Sequence, residues 1–164
     1  KVFMTREAAV ALSNVQSELA SFGLSLKVFD AYRPQRAVNH FVRWAQDLSD
    51  TRMKAVFYPT VAKEDLFSSG YIAQLSGHSR GSTIDLTIVD LQSGGELEMG
   101  TAWDFFDPLS WPSNQDLPIQ ARVNRNLLNV LMTKNGFRAL PEEWWHFTLE
   151  NEPFPDTYFD FPIK

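Results

Sequence analysis

Apolar residues recur at helical spacing in the first stretch of the chain, at Ala8, Leu12, Val15, Leu19 and Phe22. The pattern predicts an amphipathic helix from Thr5 to Ser21, with Thr5 as N-cap and Gly23 as its stop. LSLKVFDAY (24–32) reads as a strand ended by Arg33-Pro34. Helical spacing returns over 35–48, where Val38, Phe41, Val42, Ala45 and Leu48 share a side. KEDLFSSG (63–70) predicts a short helix. STIDLTIVDL (82–91) alternates with period two: Ile84, Leu86 and Ile88 face one way, Asp85, Thr87 and Val89 the other. The turn signal SGG (93–95) predicts an antiparallel hairpin into ELEMG. A third long helix is expected from Ile119 to Asn135, closed by Gly136, and FRAL and WWHFTL follow as strands.

Long helices interrupt these strands, yet the hairpin and the closing pair read as antiparallel. The expected fold is therefore α+β, a central mostly antiparallel sheet flanked by helices, and not a doubly wound parallel sheet. No repeat, low-complexity tract or linker divides the chain, so 1–164 is expected to form a single domain.

Composition narrows the function more than the fold. A hydrophobic content of 44% with 13% aromatic residues supplies a real core. The net charge of −5 argues against nucleic acid or an anionic membrane surface as partner, because both reward clustered Lys and Arg. No apolar run reaches the ~18 residues that a membrane helix needs. Cysteine is absent, which removes disulfides, thiolate nucleophiles and Cys-based zinc sites, so any metal must be held by His, Asp or Glu. The chain opens at Lys1, which leaves room for a removed leader segment.

Three histidines are available: His40, His78 and His146. His78 lies in SGHSRGSTIDLTI between Gly77 and Gly81, which let the backbone turn sharply and bring it back beside Asp85. Asp85 sits opposite a wholly apolar strand face, so its own face must meet water, a cation or a polar site. Two imidazoles and a carboxylate would suit zinc and leave one position open, with His146 as the second imidazole. His40, with neither a glycine turn nor an acid at ligand spacing, reads as structural. In PEEWWHFTLENEPFP (141–155), Glu142 and Glu143 are both in reach as a proton-accepting base, and spacing does not separate them. Trp144 and Trp145 offer desolvating walls or plain core packing. Arg33, at a strand-to-helix corner fixed by Pro34, would stabilise an oxyanion, grip a carboxylate or stay solvated. Asp104, set among aromatics in MGTAWDFFD, either binds an ammonium group or caps a turn.

SGHSRGSTIDLT, DAYRPQRAVNHF, MGTAWDFFD and EEWWHFTLENEPFPDTYFDFPIK together resemble the zinc D-alanyl-D-alanine dipeptidases of the VanX type. These belong to the wider zinc D,D-peptidases that share the hedgehog-like fold. The resemblance runs from about Leu24 to the C-terminus and rests on Ser-x-His-x6-Asp followed by Glu-x-x-His. It implies one Zn2+ per chain on His78, Asp85 and His146, with Glu143 as the base. It further implies that Arg33 stabilises the tetrahedral intermediate and Asp104 holds the substrate ammonium. Ser76 would line the substrate site, with Asp30 beside it orienting Arg33. The implied reaction is hydrolysis of D-Ala-D-Ala. A zinc D,D-carboxypeptidase trimming cell-wall peptides is the alternative, and a non-catalytic zinc module a more distant one. The partner would be a small dipeptide, with room for a homo-oligomer. The setting would be a bacterial cytoplasm, or the periplasm if a leader was removed. Two departures stand out: Thr83 where alanine is common, and Gly77 where a serine can supply a substrate hydrogen bond.

Overall fold

In the computed structural model, which describes residues 1–163, the Thr5 hydroxyl accepts a hydrogen bond from the Ala8 amide (3.3 Å) and starts helix α1, Arg6–Ala20. Gly23, at φ +71, turns the chain into strand β1, Leu24–Asp30. Helix α2 (Gln35–Gln46) and the four-residue helix α3 (Lys54–Phe57) follow, then β2 (Thr83–Asp90), α4 (Ile119–Lys134), β3 (Phe137–Leu140) and β4 (Glu143–Leu149). The strands form one sheet in the order β1-β2-β4-β3, and every neighbouring pair is antiparallel. The α+β expectation therefore holds, and it places β2 and β4 side by side at the centre.

The period-two pattern of β2 decides where the core lies. Ile84, Leu86 and Ile88 join Phe137, Trp145, Phe147 and Leu149 against Ala8, Val15 and Leu19 of α1 and Leu128, Leu131 and Met132 of α4. Each fully buried large side chain contributes about 1.5–3 kcal/mol, so this layer anchors the sheet. The opposite face of β2 is buried as well: Asp85 and Thr87 are almost inaccessible. His78 and Arg33 from the segment between β1 and β2, with His146 and Trp103, lie against Asp85 there; the same segment carries a smaller cluster of Ala45, Tyr58, Leu66 and Ile72 with Trp44, Phe57, Tyr71 and Phe106 around it.

Several expectations need correction. ELEMG forms no strand, only the bridge Val89↔Glu96. Its next carbonyls are taken by α4: Asn124 Nδ2 donates to Glu98 O (2.8 Å) and Arg125 Nε to Met99 O (2.6 Å), so no ladder can extend. KEDLFSSG supplies only a single 3-10 turn, Lys63–Asp65, whose buried Lys63 ammonium holds the carbonyls of Asp47 and Asp50. Phe22 and Leu48 lie beyond the ends of α1 and α2, where helical spacing no longer applies, and both are exposed.

The C-terminal tail returns across the molecule. Phe159 N donates to Ser79 O (2.9 Å), and Gln35 N donates to Phe159 O (3.0 Å), tying the tail to the His78 turn and to the start of α2. The Arg80 fork meets Glu152 through two 2.8 Å bonds. This pair is mostly shielded, with side-chain exposures of 17% and 10%, so its loss falls between the surface and buried limits. Glu152→Gln is expected to lower unfolding stability by about 2 kcal/mol in a denaturant titration. A change within error would show that the tail is not held by this pair.

Candidate active site

Asp85 and His146 are direct cross-strand partners of β2 and β4, so both side chains stand on the same face. His78 reaches them from the 3-10 turn Gly77–Arg80, which is closed by Gly81 at φ +80. One ligand atom from each of the three residues lies within 4.8 Å of the others. His78 Nε2 is 3.3 Å and His146 Nδ1 is 3.0 Å from Asp85 Oδ1. The other nitrogen of His78, Nδ1, is 2.7 Å from Ala31 O. A carbonyl oxygen only accepts, so Nδ1 carries the proton and Nε2 presents a lone pair. That lone pair faces a buried carboxylate oxygen that takes no hydrogen bond from outside the triad. Two such acceptors repel each other unless a cation lies between them. The donor set, two imidazole nitrogens and one carboxylate, fits zinc.

Around this triad the charges are lopsided. Asp85 Oδ2 turns to the Trp103 indole N–H at 3.4 Å and to Arg33 at 4.0 Å. Burial keeps His146 below its ordinary value, leaving it neutral and able to ligate. Glu143 opens β4 where the β3–β4 register slips, and its Oε2 lies 3.5 Å from His146 Nδ1. Burial, reinforced by the charges of Asp85 and Asp104 and opposed by Arg33, raises its pKa well above the ordinary value. Asp104 is raised to about 6, first by burial and then by Asp85, with Arg33 opposing.

Arg33 is fixed on both sides. Its Nε donates to Asp30 Oδ2 (2.8 Å), and its guanidinium lies over the Phe41 ring at 5.3 Å. A cavity of about 470 Å³ joins these groups and is lined by Arg33, His78, Asp85, Asp104, Glu143 and His146. Phe41, Trp44 and Phe106 add aromatic walls to it.

A family model described as D-ala-D-ala dipeptidase, peptidase M15, matches residues 1–164. The chain belongs to the peptidase M15 family. It is 44% identical over 163 residues to a D-alanyl-D-alanine dipeptidase of Streptomyces coelicolor, covering 99% of this chain and 81% of that one. A D-alanyl-D-alanine dipeptidase of Enterococcus faecalis is 39% identical over 164 residues, with 100% and 81% covered. Its counterpart in Escherichia coli is 36% identical over 149 residues, with 91% and 67% covered. Among solved structures, a mutant of the vancomycin resistance D,D-pentapeptidase VanY in complex with Zn(II) superposes with a TM-score of 0.53. It covers 90% of this chain and 73% of that one at 12% identity, a likeness of fold alone.

For this peptidase M15 chain the structure separates residues that spacing left equal. Glu143 is buried and lines the cavity, whereas Glu142 sits partly exposed in the turn before β4 and does not. Asp30 does not line the cavity; it holds Arg33 from below and caps the Ala31 amide (2.8 Å). Ser76 lines the cavity, but its hydroxyl already accepts the His78 amide (3.3 Å) as N-cap of the ligand turn. His40, read as structural, lies exposed on the cavity rim. Trp145 packs into the core and Trp144 donates to Thr101 Oγ1 (2.9 Å). Sequence reasoning missed Trp103, which touches Asp85 and stacks on Phe29 at 5.0 Å, and the Ala31 carbonyl, which sets the His78 tautomer. The quoted motif MGTAWDFFD held the only signal for Trp103.

The two departures from the family pattern explain each other. A Cβ on Gly77 would lie 2.5 Å from Thr83 Oγ1, which is itself fixed by Thr148 Oγ1 at 2.9 Å. Thr83 fills the space that a side chain at 77 requires. Gly77→Ala should therefore displace the His78 turn and weaken metal binding at the triad on the order of 10-fold, the scale of a lost supporting contact to a ligand. Adding Thr83→Ala should restore most of that affinity in a metal titration. A double variant no better than Gly77→Ala alone would rule the clash out.

Proposed function

We propose that this protein hydrolyses D-Ala-D-Ala to two D-alanines in a zinc-dependent reaction, with His78, Asp85 and His146 holding one ion. The observation that carries the reading is the single cavity in which this triad, a buried carboxyl base, a fixed guanidinium and a second carboxyl converge. The names of the relatives support the same substrate. Zinc, when bound, supplies a Lewis acid that polarises the peptide carbonyl and acidifies water.

The remaining work falls to the chain itself. Glu143 accepts a proton from the attacking water as the new C–O bond forms, and returns it to the leaving amine as the C–N bond breaks. Its raised pKa keeps that return feasible, and the ion's charge offsets part of the rise. Arg33, held by Asp30, faces the oxyanion of the tetrahedral intermediate. Asp104 pairs with the free ammonium of the dipeptide. A D,D-carboxypeptidase substrate carries an acylated nitrogen at that point and gains nothing from this carboxylate, which favours the dipeptidase reading.

D-Alanine release from D-Ala-D-Ala is expected to stop with a strong chelator, and Glu143→Ala should lower kcat by about 10²–10⁴-fold. Cleavage insensitive to chelator would overturn the metal mechanism. Asp104→Ala should raise KM for the dipeptide and leave cleavage of an N-acylated tripeptide unchanged; equal losses would contradict the ammonium role.

The pH dependence carries a sign. Burial raises Asp104 to about 6, and a bound ion's charge draws it down again in part, so the dipeptide KM should climb, approaching tenfold per pH unit, once the pH falls through a value at or below about 6. In Asp104→Asn this limb should vanish from the KM profile. A limb that survives the substitution belongs to another group.

A further inference from the structure

The proposed mechanism makes no use of Arg125, yet this residue is among the most unusual in the fold. It lies on α4, is 5% exposed, and forms no ion pair with a carboxylate among the described residues. A buried charge without a counter-ion persists only where its N–H groups are used. Here they go to the two ends of one loop. Nε donates to Met99 O (2.6 Å) and Nη2 to Thr101 Oγ1 (3.1 Å) at the entry. Nη1 donates to Leu109 O (2.9 Å) and Trp111 O (3.3 Å) at the exit. Burial draws its pKa down to about 10, with Glu98 opposing, so it remains charged at neutral pH.

Between those ends lies Asp104, the one non-glycine residue with positive φ (+62) among the described residues. Such a conformation costs about 1–3 kcal/mol and survives only where the surroundings hold it. A chain of hydrogen bonds runs from Arg125 to its neighbour. Thr101 Oγ1 accepts from Arg125 and from Trp144 Nε1, and lies 2.9 Å from Ser110 Oγ. Ser110 Oγ donates in turn to Phe105 O (2.5 Å). Gly100, at φ +83, lets the loop lie close on α4, since a Cβ there would come within 2.8 Å of Leu117 and 3.2 Å of Ala121. Arg125 itself does not line the cavity.

We propose that Arg125 is a positioning residue for substrate-amine recognition: its guanidinium closes the 99–111 loop and sets Asp104 in the cavity. The proposal rests on the reading of Asp104 as the ammonium partner.

Arg125→Lys, which keeps the charge and loses the fork, is tested beside Arg125→Met and Thr101→Val, each alone and with Asp104→Ala. Rates on D-Ala-D-Ala are taken per zinc-loaded protein, because Trp103 on the same loop touches Asp85. Each single variant is expected to lose on the order of 100-fold in kcat/KM, carried by KM, as for a displaced contact. In the Asp104→Ala background the same change should shift kcat/KM by less than about twofold. Additive losses would overturn the positioning role, because a merely structural residue loses its contribution in either background. Asp104→Ala without effect on KM would defeat the ammonium reading instead. Amide exchange then judges the staple by itself: residues 102–106 should exchange faster in Arg125→Lys while α4 and β2 stay unchanged. Unaltered loop exchange would refute it.

Discussion

A carboxylate buried in the middle of a sheet costs several kcal/mol unless its charge is answered. Asp85 is such a group, and most of the surrounding structure serves to answer it. The β2–β4 register brings His146 opposite it, and the glycine-bounded turn at 77–81 brings His78 alongside. The carbonyl of Ala31, just past β1, fixes the proton of His78 on the far nitrogen, so that a lone pair and not a donor faces Asp85. With Oδ1 taking no hydrogen bond from outside the triad, the three side chains form a donor set that fits a cation.

The charge balance of the cavity follows from the same constraint. Asp30, Asp85, Asp104 and Glu143 gather near one guanidinium, that of Arg33. Without a cation the site is strongly negative, and Glu143 and Asp104 are the carboxyls whose pKa values rise, first through burial and then through the neighbouring carboxylates, with only Arg33 opposing strongly. Those raised values suit different tasks. In the proposed reaction Glu143 both takes and returns a proton, whereas Asp104 needs only to be ionised at the pH where the substrate amine is charged. Arg33 cannot swing between roles, since Asp30 grips it from one side and Phe41 lies beneath it. Division of labour among acids thus comes from where each lies relative to one arginine and one cation.

The central sheet was legible because its signal is local. Alternation through Ile84, Leu86 and Ile88 records which face meets α1 and α4, and the glycines beside His78 record a turn. The Glu142–Glu143 ambiguity was not solvable from spacing, because a register slip between β3 and β4 decides which acid enters the cavity. The failed hairpin after SGG has a similar origin: side chains from α4, far along the chain, capture the carbonyls of Glu98 and Met99 before a strand can extend. Trp103 and Arg125 were illegible for the same reason. Their importance lies in partners 18 and 26 residues away, and no periodicity encodes that.

X-ray absorption at the zinc edge of the loaded protein addresses the cation site most directly. The expected inner coordination sphere holds two imidazole nitrogens and carboxylate or water oxygen at about 2.0–2.2 Å, with Asp85→Asn and His78→Gln each removing the bound ion. A sphere with one imidazole or none, or a zinc ion that survives both substitutions, would contradict the assignment of His78, Asp85 and His146 as the ligands.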